Sequence, residues 1–161
     1  MYRSDIIHEL ESGLVLVDTN ISRNSSKIHS IQAKSQNEQT IDVLHDMKNH
    51  SFLMKTQLLK GNIEEFAKEL HSSWLTKKKI SDIISTKKID KIYNEARKNG
   101  ALGGKILGAG GGGHMLFYAN FENKRKLEKT LTKLGCTLIP FSFETHGLQT
   151  WKVSENGVRP G

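Results

Sequence analysis

The chain has 161 residues, which suits one domain, and its 36% apolar content is lean for a globular protein. Lysine and arginine number 24 against 17 acidic residues, a net charge of +7, but only five of the 24 are arginine. That balance favours solvated lysine-rich faces over a surface that reads phosphates or bases in bidentate fashion.

Leu14, Val15, Leu16 and Val17 form a short apolar run that predicts a buried strand. Polar, turn-prone residues follow, and any of Asn24, Ser25 or Ser26 would cap a helix. From Ser26 to Lys60 there is neither glycine nor proline. Ile28 and Ile31, then Ile41, Leu44, Met47, Met54 and Leu58, recur at helical spacing, and the wholly polar stretch 34–40 is expected on the surface. Gly61 would stop this element and Asn62 would cap the next. Glu64 and Glu65 suit the start of a helix, and Phe66, Leu70 and Trp74 share one face of it. Thr86 would cap a further helix, with Ile89, Ile92, Tyr93 and Ala96 inward and Gly100 at its end.

The character then changes, for eight of the fourteen residues from Gly100 to Gly113 are glycine. Residues 115–118 predict a strand, and Leu127, Leu131 and Leu134 the inward stripe of a helix that Gly135 ends. Two more strands are expected at 137–143 and 148–153, with Pro140 arguing for an edge or a bulge. Strands with helices segregated between them imply an α+β fold, one antiparallel sheet of about four strands packed with several helices. Residues 1–153 would form this domain and 154–161 a polar tail.

The run from Gly103 to Gly113 carries the chemistry. Glycine is favoured where the backbone must take positive φ or approach something closely, and successive N–H groups of such a loop can cradle an anion. No Gly-Lys-Ser/Thr follows the glycines, so this is not a Walker A loop. A strand rather than a helix follows it, which excludes a dinucleotide fingerprint. A flexible linker is disfavoured by the Lys-Ile-Leu-Gly-Ala-Gly core.

The string Ala101-Leu102-Gly103-Gly104-Lys105-Ile106-Leu107-Gly108-Ala109-Gly110-Gly111-Gly112-Gly113 resembles the C-terminal motif of the GHMP kinases, most closely their bacterial D-glycero-D-manno-heptose 7-phosphate kinase branch. Flanks agree at Arg23-Asn24-Ser25-Ser26, Leu59-Lys60-Gly61-Asn62, His71-Ser72-Ser73-Trp74-Leu75 and Gly147-Leu148-Gln149-Thr150-Trp151. The resemblance implies the C-terminal, ferredoxin-like domain of an ATP- and Mg²⁺-dependent sugar-phosphate kinase serving heptose and surface-polysaccharide synthesis. It implies that the main ATP loop and the catalytic base lie in an N-terminal half missing here, so no catalytic residue is expected in this chain. The backbone of Gly108, Ala109, Gly110, Gly111, Gly112 and Gly113 would bind phosphate or nucleotide. Arg23, Ser25, Ser26 and Lys105 would bind the sugar phosphate, the Arg as a guanidinium fork with two hydroxyls beside it. His114 departs from the family, which places an apolar residue there, and is expected to face outward at a strand start. The alternative is a non-catalytic remnant that binds a sugar phosphate, or a subunit that needs a separate N-terminal half.

Other features are assigned to structure. Lys77-Lys78-Lys79 reads as a solvated helix face, Trp74 as core, and Cys136 as a packing residue. A single cysteine excludes an internal disulfide framework, no apolar run reaches eighteen residues, and residues 1–11 lack the apolar core of a signal peptide, so a cytoplasmic protein with no membrane partner is expected. Aromatics are not interleaved with the basic residues, which argues against a nucleic-acid partner. A lost partner surface would expose apolar area, so self-association, including a homodimer, is expected.

Overall fold

The structure, a computed structural model, describes residues 4–22, 38–81, 83–144 and 146–150. Five helices and four strands are present among them: α1 (Ser4–Gly13), β1 (Leu14–Asp18), α2 (Glu38–Lys60), α3 (Ile63–Lys78), α4 (Lys87–Lys98), β2 (Ala101–Ile106), β3 (His114–Ala119), α5 (Phe121–Lys133) and β4 (Thr137–Ile139). The strands form one sheet in the order β2-β3-β1-β4, and every neighbouring pair is antiparallel. Val15 pairs with Phe117, Gly104 with Phe117 on its other side, and Val17 with Leu138. With helices between β1 and β2 and again between β3 and β4, this is the split βαβ arrangement of ferredoxin-like folds, as expected.

Each strand sends alternate side chains to opposite faces. On one face Val15, Val17, Ile106, Met115 and Phe117 meet Trp74, Ile89, Ile92, Tyr93, Leu127 and Leu131. Phe117 is wholly buried, a burial worth about 1.5–3 kcal/mol for a side chain of this kind. On the other face Leu14 and Tyr118 meet Ile6 and Leu10 of α1 and Ile63 and Ala67 of α3. Trp74 and Cys136 are core residues, as read from sequence. Burial and the charge of Asp18 push the Cys136 thiol above its ordinary pKa.

Local chemistry explains the helix ends. Thr86 is extended and its Oγ1 accepts a hydrogen bond from Ile89 N at 3.3 Å, which caps α4. Gly61, at φ +78°, turns α2 into α3. Asn62 stands at the N-cap of α3 but its side chain does not cap the helix; its amide donates to Gln57 Oε1 instead. The α2–α3 hairpin is cross-linked by His50, whose ring nitrogens lie 2.9 Å from Glu69 Oε2 and 3.1 Å from Thr76 Oγ1.

Several sequence expectations are corrected. The segment 101–106 is not loop but strand β2, and residues 4–13 form a helix. β4 ends at Ile139, because Pro140 has no N–H to continue the ladder. Residues 148–150 form no strand and Leu148 is exposed, while 151–153 lie outside the described residues. Ile41 and Leu44 point outward, and Val43 is buried in their place. The proposed cap at 24–26, the apolar pair Ile28 and Ile31, and the tail 154–161 also lie outside the described residues.

Candidate functional site

The glycine loop shrinks to residues 107–113, the connection between the hairpin strands β2 and β3. Leu107 N donates to His114 O at 2.9 Å, closing the base of the loop. Two segments grip the rest. Gly111 N donates to Ile84 O at 2.9 Å, and Gly113 N donates to Ile21 O at 3.3 Å. Gly113 O in turn accepts from Thr19 N at 2.9 Å and from Thr19 Oγ1 at 2.7 Å.

Glycine is required here by proximity. A Cβ at Gly110, where φ is +104°, would lie 2.9 Å from Ile84 O, and one at Gly112 would lie 2.4 Å from Ile21 O. Such distances force backbone to move, so a side chain at either position would prise the loop from its supports. Ala109, Gly110 and Gly112 are buried, while Gly108 is exposed at the tip. The loop is therefore a packed, tied turn and not a linker.

An unconditional nest of six outward N–H groups is not what forms. The N–H groups of Gly111 and Gly113 are committed to backbone carbonyls, which leaves the exposed Gly108 end as the part that faces solvent. Lys105 sits on β2 opposite Leu116 and is half-buried, and burial lowers its pKa. His114 is exposed at the start of β3, as expected from its position. Arg23, Ser25 and Ser26 lie outside the described residues.

The largest correction concerns Lys77. It is only 8% exposed, and its Nζ donates to Gly108 O at 2.5 Å and approaches Ile106 O at 3.5 Å. Its neighbour Lys78 is also engaged, donating to Asp90 Oδ1 at 2.6 Å, which Ser85 Oγ joins at 2.8 Å. Burial acts to raise the Asp90 pKa, but the hydrogen bonds from Lys78 and Ser85 outweigh it and the pKa falls below the usual value. The signal for Lys77 was present in the sequence: Leu70, Trp74 and Lys77 follow at i, i+4 and i+7, which places Lys77 on the buried stripe. Ile84, wholly buried and carrying the carbonyl that Gly111 uses, had no such signal.

Among the described residues no group of three or more His, Cys, Asp or Glu side chains could hold a metal ion. No helix among them is long and apolar enough to cross a membrane. What the structure shows is a backbone turn tied at Gly111 and Gly113, with the buried ammonium of Lys77 on the Gly108 carbonyl.

Comparison with known proteins bears on what such a site is for. The profile of the family described as GHMP kinases C terminal matches residues 54–137, from mid-α2 to the first residue of β4. The D-glycero-alpha-D-manno-heptose 7-phosphate kinase of Campylobacter jejuni serotype O:2 is 36% identical over 149 residues, which are 92% of this chain and 44% of that protein. A solved structure of a Campylobacter jejuni protein described as a sugar kinase superimposes with a TM-score of 0.67 at 33% identity, over 95% of this chain and 43% of the other. That of a D-glycero-D-manno-heptose 1-phosphate kinase from Bacteriodes thetaiotaomicron gives a TM-score of 0.67 at 26% identity, over 96% and 40%. The chain thus spans less than half the length of the relatives it matches.

Proposed function

Because the chain belongs to the GHMP kinase C-terminal family, we propose that it is the C-terminal part of an ATP-dependent sugar-phosphate kinase acting on D-glycero-D-manno-heptose 7-phosphate. The observation that carries this reading is the 36% identity to a heptose 7-phosphate kinase along 92% of the chain, glycine loop included. On this reading the enzyme serves nucleotide-activated heptose and surface-polysaccharide synthesis in the cytoplasm.

Phosphoryl transfer depends on positioning and charge neutralisation more than on covalent chemistry by the protein. The tied loop 107–113 fits a phosphate donor such as ATP, because its glycine backbone lets phosphoryl oxygens come within hydrogen-bonding range of the Gly108 end. Lys105 would steer the anionic sugar, and Arg23, Ser25 and Ser26 would hold its existing phosphate. The described residues hold no group of three or more metal-ligating side chains, so Mg²⁺ would be held by the phosphates and by carboxylates of the N-terminal half. A base for the acceptor hydroxyl is expected from an N-terminal half of the kinase, as are most ATP contacts.

The test is ATP-to-ADP turnover by the purified chain with D-glycero-D-manno-heptose 7-phosphate and Mg²⁺, with and without a polypeptide that supplies the N-terminal half. Turnover only with both pieces is expected. Turnover by the chain alone would overturn the placement of the base, and none in either mixture would favour the second reading, a non-catalytic subunit.

A further inference from the structure

Lys77 belongs to the last turn of α3, yet it is nearly as buried as the core beside it, at 8% exposure. Lysine is rarely fully buried without partners, because an ammonium taken out of water loses several kcal/mol of hydration unless protein atoms replace it. The atoms that do so include Gly108 O at 2.5 Å and Ile106 O at 3.5 Å. Both carbonyls belong to the rising edge of the glycine loop.

In a trans peptide the C=O and the following N–H lie in one plane and point in opposite directions. A cation that draws in the Ile106 and Gly108 carbonyls therefore turns the N–H groups of Leu107 and Ala109 away from itself. Leu107 does so, since its N–H donates to His114 O on the far side. The plane between Ile106 and Leu107 is also held by the bond to His114 O. The plane after Gly108 starts from a glycine, which resists reorientation very little, and there the Lys77 ammonium holds the carbonyl.

We infer that Lys77 is a positioning residue for the loop: anchored on α3, its ammonium fixes the peptide planes at Ile106 and Gly108, and so sets the face the loop turns to a phosphate group. The inference deepens the kinase reading and rests on it for the ligand, but not for the clamp. Lys77 acts through the loop backbone and is not assigned a contact with substrate.

Hydrogen exchange on the full chain tests the clamp without any ligand. Lys77→Met removes the ammonium and keeps the stem. Exchange across 107–113, including the Gly111 and Gly113 amides, should quicken by roughly tenfold or more, while β1 and β3 stay protected. Lys77→Arg keeps donors and charge and should restore most of the protection. Unchanged exchange at 107–113 in Lys77→Met would overturn the inference. So would an equal rise throughout the chain, which would mean a loss of global stability only.

Calorimetry with tripolyphosphate then tests the consequence. The unaltered chain should bind it, and Lys77→Met should weaken binding by roughly tenfold while adenosine, which carries no phosphate, is unaffected. A variant that binds tripolyphosphate as well as the unaltered chain does would overturn the positioning role. Failure of the unaltered chain to bind it would count against the loop as a phosphate site, and the exchange experiment would still decide the clamp.

Discussion

A methyl group placed at Gly103 would put its carbon 1.8 Å from Ala67 O and 2.7 Å from Ala67 C. Neither atom can swing aside, because both belong to the backbone of α3. Gly103→Ala should therefore push β2 off α3 and cost about 2–3 kcal/mol, a fall of roughly 5–10 °C in melting temperature for a domain this size. A melt unchanged to within a degree would refute the contact. His71 supplies a second test at this scale. Burial, then the charge of Arg97, lowers its pKa. Burial raises that of Tyr93, despite the opposing Arg97 charge, so the phenol stays protonated, and its oxygen is hydrogen-bonded with His71 Nδ1 at 2.7 Å. The unfolded chain then takes up the imidazole proton before the folded chain does. The stability this contributes is complete above the unfolded value of about 6.5 and is lost as pH falls through the lower folded value. Melting temperature should decline as pH falls below about 6.5, and His71→Gln should flatten part of that slope. Parallel pH profiles for the two proteins would exclude His71 as the source.

At the scale of elements, what could be read in advance depended on whether side chains carried the signal. Strand β1 was legible because Leu14–Val17 is an unbroken apolar run, and α4 because Thr86 and Gly100 bracket a clear stripe. The cap can be measured: Thr86→Ala should cost about 1 kcal/mol, seen as a melting shift of roughly 2–4 °C. No shift would mean that the 3.3 Å bond from Ile89 N contributes nothing. Strand β2 was hidden for a physical reason. Its Gly103 and Gly104 are low in strand propensity, yet the close approach of α3 and of Phe117 demands them. The same glycines that announced a binding loop disguised the strand leading into it. Lys77 is hidden by its context, because three lysines in a row suggest solvent although the helical register puts it on the buried stripe with Leu70 and Trp74. Of the candidate site, then, the loop was legible, while its supports at Thr19, Ile21 and Ile84 come from segments that only the tertiary fold brings together.

Across the whole molecule, one surface stands out as unfinished. Ile41, Leu44, Phe52 and Leu59 are 48%, 52%, 58% and 53% exposed on α2, and their spacing places them on a single stripe. The chain on its own should therefore associate with itself as concentration rises, as seen by light scattering, and Phe52→Lys with Leu59→Lys should return it to monomer. A monomer at every concentration would show that the stripe is too small or too interrupted to drive association.

The sheet order has a consequence for the nascent chain. Strand β1 is the second innermost of the four, but both its partners, β3 and β4, come from the other end of the sequence. From Asp18 to the end of β4 a ribosome must add about 120 residues, which takes roughly 6–24 s at ordinary rates of synthesis. Until β3 is made, about 100 residues after Asp18, Leu-Val-Leu-Val has no strand to pair with, and only helices can shield the run. This apolar run is thus made well before its strand partners, and a chaperone that binds short aliphatic stretches would find its target there.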